Sequence, residues 1–214
     1  MADTFAKTRV LVIDDHRAVQ LGLRELLAAE FPGIHIEFAD GESSAMEQLA
    51  KGHWSMAISD IDLPGMSGLD LIPKLKSRRP QLRVLVYTMH AESQFGVRAF
   101  RCGADGFLSK DSTPETLFAA VRQILRGRRY VSSELAEELA NSAAEPFGDE
   151  ALSSRDYQIV QGLAAGKTLT ELAAELNLNI KTVSAHRSRI YETLRLKTQA
   201  DLIRYALEHG LLQE

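Results

Sequence analysis

The sequence predicts a doubly wound α/β domain with a five-stranded parallel sheet, followed by a small all-helical domain. The chain has 214 residues, 45% of them apolar and 25% charged, which is the composition of an ordinary globular protein. At roughly 150 residues per domain, this length fits one or two domains. From Arg9 to Arg129, short β-branched apolar runs alternate with longer amphipathic stretches, as in βα units that place a parallel sheet between helices. After Leu152 no strand pattern appears, which indicates a second domain of a different class.

Five βα units can be counted in the first domain. The predicted strands cover residues 10–13, 34–39, 56–59, 84–87 and 105–108. The predicted helices cover residues 17–30, 42–51, 67–78, 92–101 and 114–127. Pro114 falls in the first turn of the last helix, where proline is favoured. We assign this domain to residues 1–130.

The remainder of the chain divides into a linker and a helical domain. The segment Ser133–Ser142 has the Ala, Glu and Leu content of a short helix, and residues 143–151 have the composition of a linker. We assign residues 131–150 to the linker with its short helix and residues 151–214 to the helical domain. Turn signals separate four helices in that domain, at Gly166, at 177–179 and at 196–198.

Cysteine content, hydropathy and charge narrow the class of protein. The single cysteine, Cys102, leaves no possible internal disulfide and no thiol-rich metal cluster. No apolar run approaches the roughly 18 residues that a membrane-spanning helix needs, so we expect a soluble cytoplasmic protein. The formal net charge is −4, yet residues 152–214 hold 8 basic and 7 acidic side chains. The helical domain is therefore the part that favours a polyanionic partner.

Polar side chains follow four of the five predicted strands. Asp14 and Asp15 follow the first strand, Asp60 the third, Thr88 the fourth and Lys110 the fifth. Because the carboxyl ends of parallel strands meet at one edge of the sheet, these side chains should share a cleft. Carboxylates that repel one another are tolerated beside a hard divalent cation and a lysine, which predicts Mg²⁺ as the cofactor. The alternative is that the acids only cap loops and helices.

This combination of groups suits phosphoryl transfer. A metal ion and a lysine can neutralise phosphoryl oxygens while a carboxylate attacks phosphorus. The product would be an aspartyl phosphate.

Residues 9–127 resemble the receiver domain of bacterial response regulators. The resemblance rests on four motifs, which are VLVIDDH at 10–16, SDIDLPGMSG at 59–68, VLVYTMH at 84–90 and GADGFLSKD at 103–111. It implies that Asp60 is the phosphoacceptor. It also implies a Mg²⁺ site formed by Asp14, Asp15, Asp60 and the backbone carbonyl of Asp62.

The same resemblance assigns the groups around the phosphoryl oxygens. Thr88 and Lys110 are expected to engage those oxygens, which makes them the catalytic groups together with Asp60. Phe107 is expected to be the aromatic side chain that repacks when Thr88 moves. Met89 departs from the family pattern, where a small residue is common, and has the bulk to narrow access for a phosphodonor.

A second family shares part of this chemistry. Asp60 and Asp62 match the DxD motif of haloacid-dehalogenase-type phosphohydrolases, which also form an aspartyl phosphate. In that family the DxD lies on an early strand and an acidic pair follows the lysine. Here Asp14 and Asp15 precede everything else in the site, and no cap insertion is visible, so the order along the chain disfavours a hydrolase.

Residues 169–188 have the spacing of a helix-turn-helix, which begins at Leu169 and ends at Ser188. Residues 177–179 break the helix, and Ile180 is expected to dock in the turn. The second helix has a buried face formed by Val183, Ile190 and Leu194. Its opposite face is small and basic, as a major-groove helix requires, and comprises Lys181, Ser184, Ala185, Ser188 and Arg189. The alternative is an amphipathic helix whose charges only face solvent.

Residues 152–194 and 199–212 resemble the LuxR-type DNA-binding domain. The TVSAH motif at 182–186 fits the family, whereas Asp156 stands where the family usually has Glu. The predicted DNA contacts are Lys181, Thr182, Ser184, Ala185, Arg187, Ser188 and Arg189. His186 lies toward the buried side of its helix, so we expect it to be packed or bonded to backbone rather than to read bases.

Together, the two resemblances imply a response regulator of the NarL/FixJ type. The expected partners are a sensor histidine kinase that phosphorylates Asp60, double-stranded promoter DNA and, after phosphorylation, a second copy of the chain; no membrane partner is expected. No enzymatic activity is expected beyond Mg²⁺-dependent phosphorylation and dephosphorylation of its own aspartate. In the remaining alternative, the receiver is a dimerisation platform and DNA binding is constitutive.

Overall fold

The computed structural model describes residues 5, 7–142, 152–209 and 211. Contacts divide the chain into two compact units, Met1–Asn141 and Ser142–Glu214. The predicted linker residues 143–151 lie outside the described residues, so the proposed three-part division stays a prediction.

The first unit contains the five-stranded, all-parallel sheet that the sequence predicts. Its strands are β1 (Arg9–Ile13), β2 (His35–Ala39), β3 (Met56–Ser59), β4 (Arg83–Thr88) and β5 (Gly106–Ser109). The helices of this unit are α1 (Arg17–Glu30), α2 (Glu42–Ala50), α3 (Gly68–Arg78), α4 (Glu92–Arg101), α5 (Pro114–Leu125) and α6 (Ser133–Ser142). The strand order is β2-β1-β3-β4-β5. The chain therefore adds β2 on one side of β1 and the later strands on the other side, and the order reverses between β1 and β3. Ligands of doubly wound folds bind outside the carboxyl ends of the strands at such a reversal.

Alternation along the strands positions the core. Val10 and Val12 of β1 point to the face where Leu23 and Leu27 of α1 and Val121 of α5 pack, and all five side chains are buried. The end of α5 differs from prediction, because the helix stops at Leu125 rather than at 127. Gly127 has a φ of 81°, a left-handed conformation that ends a helix, and its N–H bonds to the carbonyl of Ile124.

The second unit is helical throughout its described residues. It contains α7 (Ser154–Ala164), α8 (Leu169–Glu175), α9 (Ile180–Thr193) and α10 (Gln199–Glu208). The N-terminus of each helix is capped by a side chain. The capping residues, in the same order, are Ser153, Thr168, Asn179 and Thr198. No helix among the described residues of either unit is long and apolar enough to cross a membrane.

The turn between α8 and α9 is built by two asparagines. Asn177 adopts a left-handed φ of 50°, which asparagine tolerates, and the N–H of Leu178 bonds back to the carbonyl of Ala173. Asn179 then caps α9, so that Ile180 is the first residue of the helix. The prediction that Ile180 docks in the turn is wrong, because this residue is 47% exposed. The helix capped by Asn179 begins at Ile180, which leaves the isoleucine side chain in solvent.

Candidate functional site

A buried cleft at the carboxyl ends of β1, β3 and β5 is organised around Lys110. The Lys110 Nζ lies 2.7 Å from a carboxylate oxygen of Asp14 and 2.7 Å from one of Asp60. Both aspartates are buried, at 2% and 5% exposure. The structure therefore brings together three of the groups that were predicted from sequence to share one cleft, although they are up to 96 residues apart in the chain.

Burial and hydrogen bonding act in opposite directions on the pKa values of this cluster. Burial raises the pKa of Asp60, and the charges of Asp14 and Asp62 add to the effect, while the hydrogen bond from Lys110 lowers it. For Lys110, burial lowers the pKa, but hydrogen bonds to Asp14 and Asp60 outweigh it and the pKa is raised. The lysine thus stays charged at neutral pH, and the site as a whole favours positive charge between its carboxylates.

Thr88 is the last residue of β4 and is fully buried beside this cleft. Its Oγ1 accepts a 3.4 Å hydrogen bond from the N–H of His90, and its carbonyl accepts one of 2.7 Å from the N–H of Lys110. Phe107 is 1% exposed and pairs in register with Val86, two residues before Thr88. Since alternate residues of a strand share a face, Phe107 lies on the same face of the sheet as the threonine.

Asp15 and His16 complete the acidic edge. One ligand atom from each of Asp14, Asp15 and His16 can be chosen so that all three lie within 4.8 Å of one another, which is the spacing of a metal-binding group. The His16 Nδ1 is 2.9 Å from Asp15 and 3.3 Å from Asp14. His16 was not among the predicted ligands, and its imidazole nitrogen is a poorer donor for Mg²⁺ than the carboxylate oxygens beside it.

Asp62 and Met89 lie on the loops that flank the cleft. An oxygen of Asp62 is 2.8 Å from the Nε2 of His90, a residue for which no role was predicted from sequence. The ring of His90 in turn packs on Phe95 of α4, with the centroids 4.6 Å apart. Met89 is 62% exposed and follows the buried Thr88 in the chain, and its effect on phosphodonor access stays a prediction.

In the second unit, Asp156 connects α7 to α9. It is 2% exposed and completes a capping box with Ser153 at the start of α7. Its carboxylate lies 2.7 Å from the Nδ1 of His186 and 2.6 Å from the guanidinium of Arg189. Burial raises the pKa of Asp156, but hydrogen bonds from His186, Ser153 and Arg189 outweigh it and hold the pKa well below its usual range.

These contacts refine the interpretation of α9. His186 is partly buried as expected, but its partner is a carboxylate rather than a backbone group. Arg189, predicted to contact DNA, is tied to Asp156 although its side chain is 55% exposed. The other predicted DNA contacts lie along one helix: Lys181, Thr182, Ala185, Arg187 and Ser188 are exposed, and Ser184 is partly buried. Val183 and Ile190 are fully buried and Leu194 is partly buried, so the apolar face is confirmed.

Comparison with known families identifies the class of protein. The family model of the response regulator receiver domain matches residues 10–122, and that of the bacterial regulatory proteins of the luxR family matches residues 150–206. The chain therefore belongs to the response regulators of the NarL/FixJ type, with a receiver domain followed by a LuxR-type DNA-binding domain. Neither match is to the haloacid-dehalogenase-type phosphohydrolases.

Individual relatives span nearly the whole chain. Response regulator UvrY of Escherichia coli K12 is 31% identical, with 94% of each chain covered. The transcriptional activator protein ExaE of Pseudomonas putida is 34% identical over 95% of this chain and 98% of its own. Among solved structures, a LuxR-family two-component response regulator from Aurantimonas sp. SI85-9A1 is 32% identical, with a TM-score of 0.57, over 64% of this chain and 98% of its own. The RcsB response regulator of Salmonella typhimurium is 25% identical, with a TM-score of 0.55, over 92% and 97%.

Proposed function

We propose that a sensor histidine kinase transfers a phosphoryl group to Asp60 and that the phosphorylated chain binds promoter DNA through α9. The observation that carries the proposal is the position of Lys110, whose Nζ contacts both Asp14 and Asp60 at 2.7 Å. An oxygen of Asp60 forms the new bond to phosphorus as the bond from phosphorus to the kinase histidine breaks. Lys110 and the hydroxyl of Thr88 then hold oxygens of the transferred group.

The donor chemistry of the cleft fits Mg²⁺. Its side chains offer carboxylate oxygens, which Mg²⁺ prefers, and burial makes their negative charge costly without a cation. We assign the ion to the carboxylates of Asp14, Asp15 and Asp60 and to the backbone carbonyl of Asp62. When bound, it neutralises the charge that develops on the phosphoryl oxygens.

The aspartyl phosphate itself is the direct test of this chemistry. The intact mass of the full chain should increase by one phosphoryl group after incubation with Mg²⁺ and acetyl phosphate. No increase should occur with EDTA in place of Mg²⁺. Steady release of phosphate from many substrates without an adduct would instead support a hydrolase.

Mg²⁺ should also raise the thermal stability of the wild-type chain. At ten times the dissociation constant, the expected gain is about 1.4 kcal/mol, because the ion binds the folded state. Asp14→Asn should lose most of the gain. Asp40→Asn is the matched control, since Asp40 follows β2 at the same edge but its carboxylate bonds locally, to the hydroxyl of Ser44. Equal gains in the two variants, measured at constant ionic strength, would contradict the assigned site.

DNA binding by α9 is supported by its exposed face and by the relatives. Lys181, at the N-terminal end of α9, is exposed, and small side chains at 184, 185 and 188 allow close approach to a groove. ExaE is a transcriptional activator, and DNA interaction has been described for RcsB. We infer that the same class of partner, double-stranded promoter DNA, binds this chain.

Lys181→Ala should weaken DNA binding similarly for all sequences. If Lys181 contacts a phosphate, the slope of log K against log salt should decrease in magnitude by about 1. Lys167→Ala is the matched control, because Lys167 is also exposed but its Nζ is 2.7 Å from Glu175. Titrations at four salt concentrations would measure both slopes, and identical slopes for the two variants would exclude the contact.

We also infer that the DNA-binding form is a homodimer. On α10, Leu202 and Ala206 are fully buried within their own unit, whereas Ile203 and Leu207 are 36% and 63% exposed. The exposed pair is four residues apart and therefore shares one face of the helix. This face supports contact with a second copy, in keeping with the twofold sites that helix-turn-helix dimers bind.

A further inference from the structure

After α5 the chain does not leave the first unit. The N–H of Tyr130 donates a 2.9 Å hydrogen bond to the carbonyl of Asp105, and Tyr130 forms a parallel bridge with Gly106 of β5. The side-chain amide of Gln123 donates a 2.5 Å hydrogen bond to the carbonyl of Arg129. The segment that precedes α6 is therefore held along the edge of the sheet, which directs α6 toward α4.

Leu135 of helix α6 packs on α4. Leu135 is 1% exposed, and its methyl groups lie over Gly96, in the middle of α4. A Cβ atom added to Gly96 would be 2.8 and 3.0 Å from the two Leu135 methyl carbons, which is closer than side chains pack. Because glycine disfavours a helix interior, its presence there is explained by the space that Leu135 needs.

The polar side chains of this junction form a hydrogen bond, and the acidic ones near it repel one another. The Ser132 hydroxyl donates a 2.5 Å hydrogen bond to Glu92, the first residue of α4. Burial raises the pKa of Glu92; the bond from Ser132 lowers it, and the neighbouring charges of Glu134 and Glu138 raise it further. At the α4–α6 junction, which comprises Glu92, Gly96, Ser132 and Leu135, the packed leucine and the hydrogen bond favour docking and like charges oppose it.

A continuous set of contacts joins this junction to the phosphorylation site. The hydroxyl of Thr88 accepts a hydrogen bond from the N–H of His90, and the ring of His90 packs on Phe95, the neighbour of Gly96. When the Thr88 hydroxyl turns to a phosphoryl oxygen, its hydrogen bond to His90 is lost. His90 keeps its contact with Asp62, but the segment before α4 loses its bond to β4. A shift of α4 that follows this loss would separate Gly96 from Leu135.

We propose that the α4 face binds the chain's own helix α6 and that phosphorylation of Asp60 releases it. This inference rests on the proposed function and adds to it the element that moves. Release is the expected direction because the charges of Glu134 and Glu138 on α6 repel the half-buried Glu92 of α4, and because movement of α4 would separate Gly96 from the Leu135 methyl groups that pack on it. Residues 133–142 precede the DNA-binding domain in the chain. Under this proposal, phosphorylation changes the mobility of the segment that leads into that domain.

Hydrogen–deuterium exchange of the full chain tests the proposal. In the wild type, the backbone amides of residues 135–141 should be protected without a phosphodonor, and should exchange roughly tenfold faster or more after Mg²⁺ and acetyl phosphate. In Gly96→Ala these amides should exchange faster than in the unphosphorylated wild type, because the Leu135 methyl groups must shift away from the added Cβ. Leu135→Ala should do the same while leaving α4 unchanged.

Gly22→Ala is the matched control for Gly96→Ala. Gly22 also lies inside a helix, but a Cβ added there meets no atom within 4 Å, so the protection of α6 should stay at the wild-type level. Protected α6 amides in Gly96→Ala and Leu135→Ala would overturn the docking contact.

Intact mass, measured on the same samples, separates failure of this inference from failure of the proposed function. A chain that carries the phosphoryl group and keeps α6 protected would overturn release and leave the proposed function standing. A chain that gains no phosphoryl group would overturn the proposed function, and this inference with it.

Discussion

Asp60→Asn should abolish the response of DNA affinity to a phosphodonor. The amide of Asn has the shape of the carboxylate but is no nucleophile, so no bond to phosphorus forms. A shift from mostly inactive to mostly active conformers requires a differential free energy of about 5.5 kcal/mol, or about 10⁴-fold. Asp60→Asn should lose the part of this free-energy difference that the phosphoryl group supplies. The measurement is the DNA affinity of both proteins with and without Mg²⁺ and acetyl phosphate.

The stability of this variant separates lost chemistry from lost folding. Burial raises the pKa of Asp60 above its ordinary value, so the folded state binds this proton more tightly than the unfolded state. The charged carboxylate therefore costs stability at neutral pH, and that cost appears as pH rises through the interval between the unfolded and folded pKa. In the absence of Mg²⁺, Asp60→Asn should unfold at a temperature no lower than the wild type, since Lys110 keeps Asp14 as a partner.

Asp40→Asn again provides the control, because it removes a carboxylate from the same sheet edge without touching Lys110. It should acquire one phosphoryl group and the same increase in DNA affinity as the wild type. If Asp60→Asn also acquired the group, another residue would be the acceptor. If it gained no group but still gained affinity with the phosphodonor, the coupling between Asp60 and DNA would be wrong.

The fold and the phosphorylation cleft were predictable from sequence because local signals carry them. Strand β3 is apolar at nearly every position and was predicted to the residue, and Asp60 follows it directly. The parallel topology then requires Asp14 and Lys110 to meet Asp60, whatever their distance along the chain. What the sequence could not give was the distance of 2.7 Å that makes Lys110 a partner of both carboxylates.

Contacts between distant helices were not predictable in the same way. His186 and Arg189 meet Asp156 from 30 and 33 residues away, and amphipathic periodicity does not specify a partner. Leu135 lies in a segment whose composition indicates a linker helix, so its burial on α4 was not expected. The one local signal was Gly96 in the interior of α4, where a glycine is justified only by what packs on it.

Asp156→Ala should strongly destabilise the second unit. Removing one partner of a buried ion pair costs about 3–5 kcal/mol, and Arg189 is half exposed, so we expect about 3 kcal/mol, part of it from the lost helix cap. The pKa of Asp156 is held below its ordinary value, so this stability is fully present above the unfolded pKa and is lost as pH falls through the folded pKa. The difference between variant and wild type should therefore decrease in acid.

Asp201→Ala is the matched control for this prediction, because Asp201 completes the same type of capping box on α10. Its pKa is lowered by hydrogen bonds from Thr198 and Lys197, and it pairs with Arg204, three residues away on the same helix. It should lose less stability than Asp156→Ala in urea unfolding followed by helical circular dichroism. Because Asp156 also fixes His186 and Arg189 of α9, only Asp156→Ala should weaken DNA binding under conditions where both variants are folded. Equal losses of stability in the two variants would mean that the cap, and not the contact between α7 and α9, accounts for the role of Asp156.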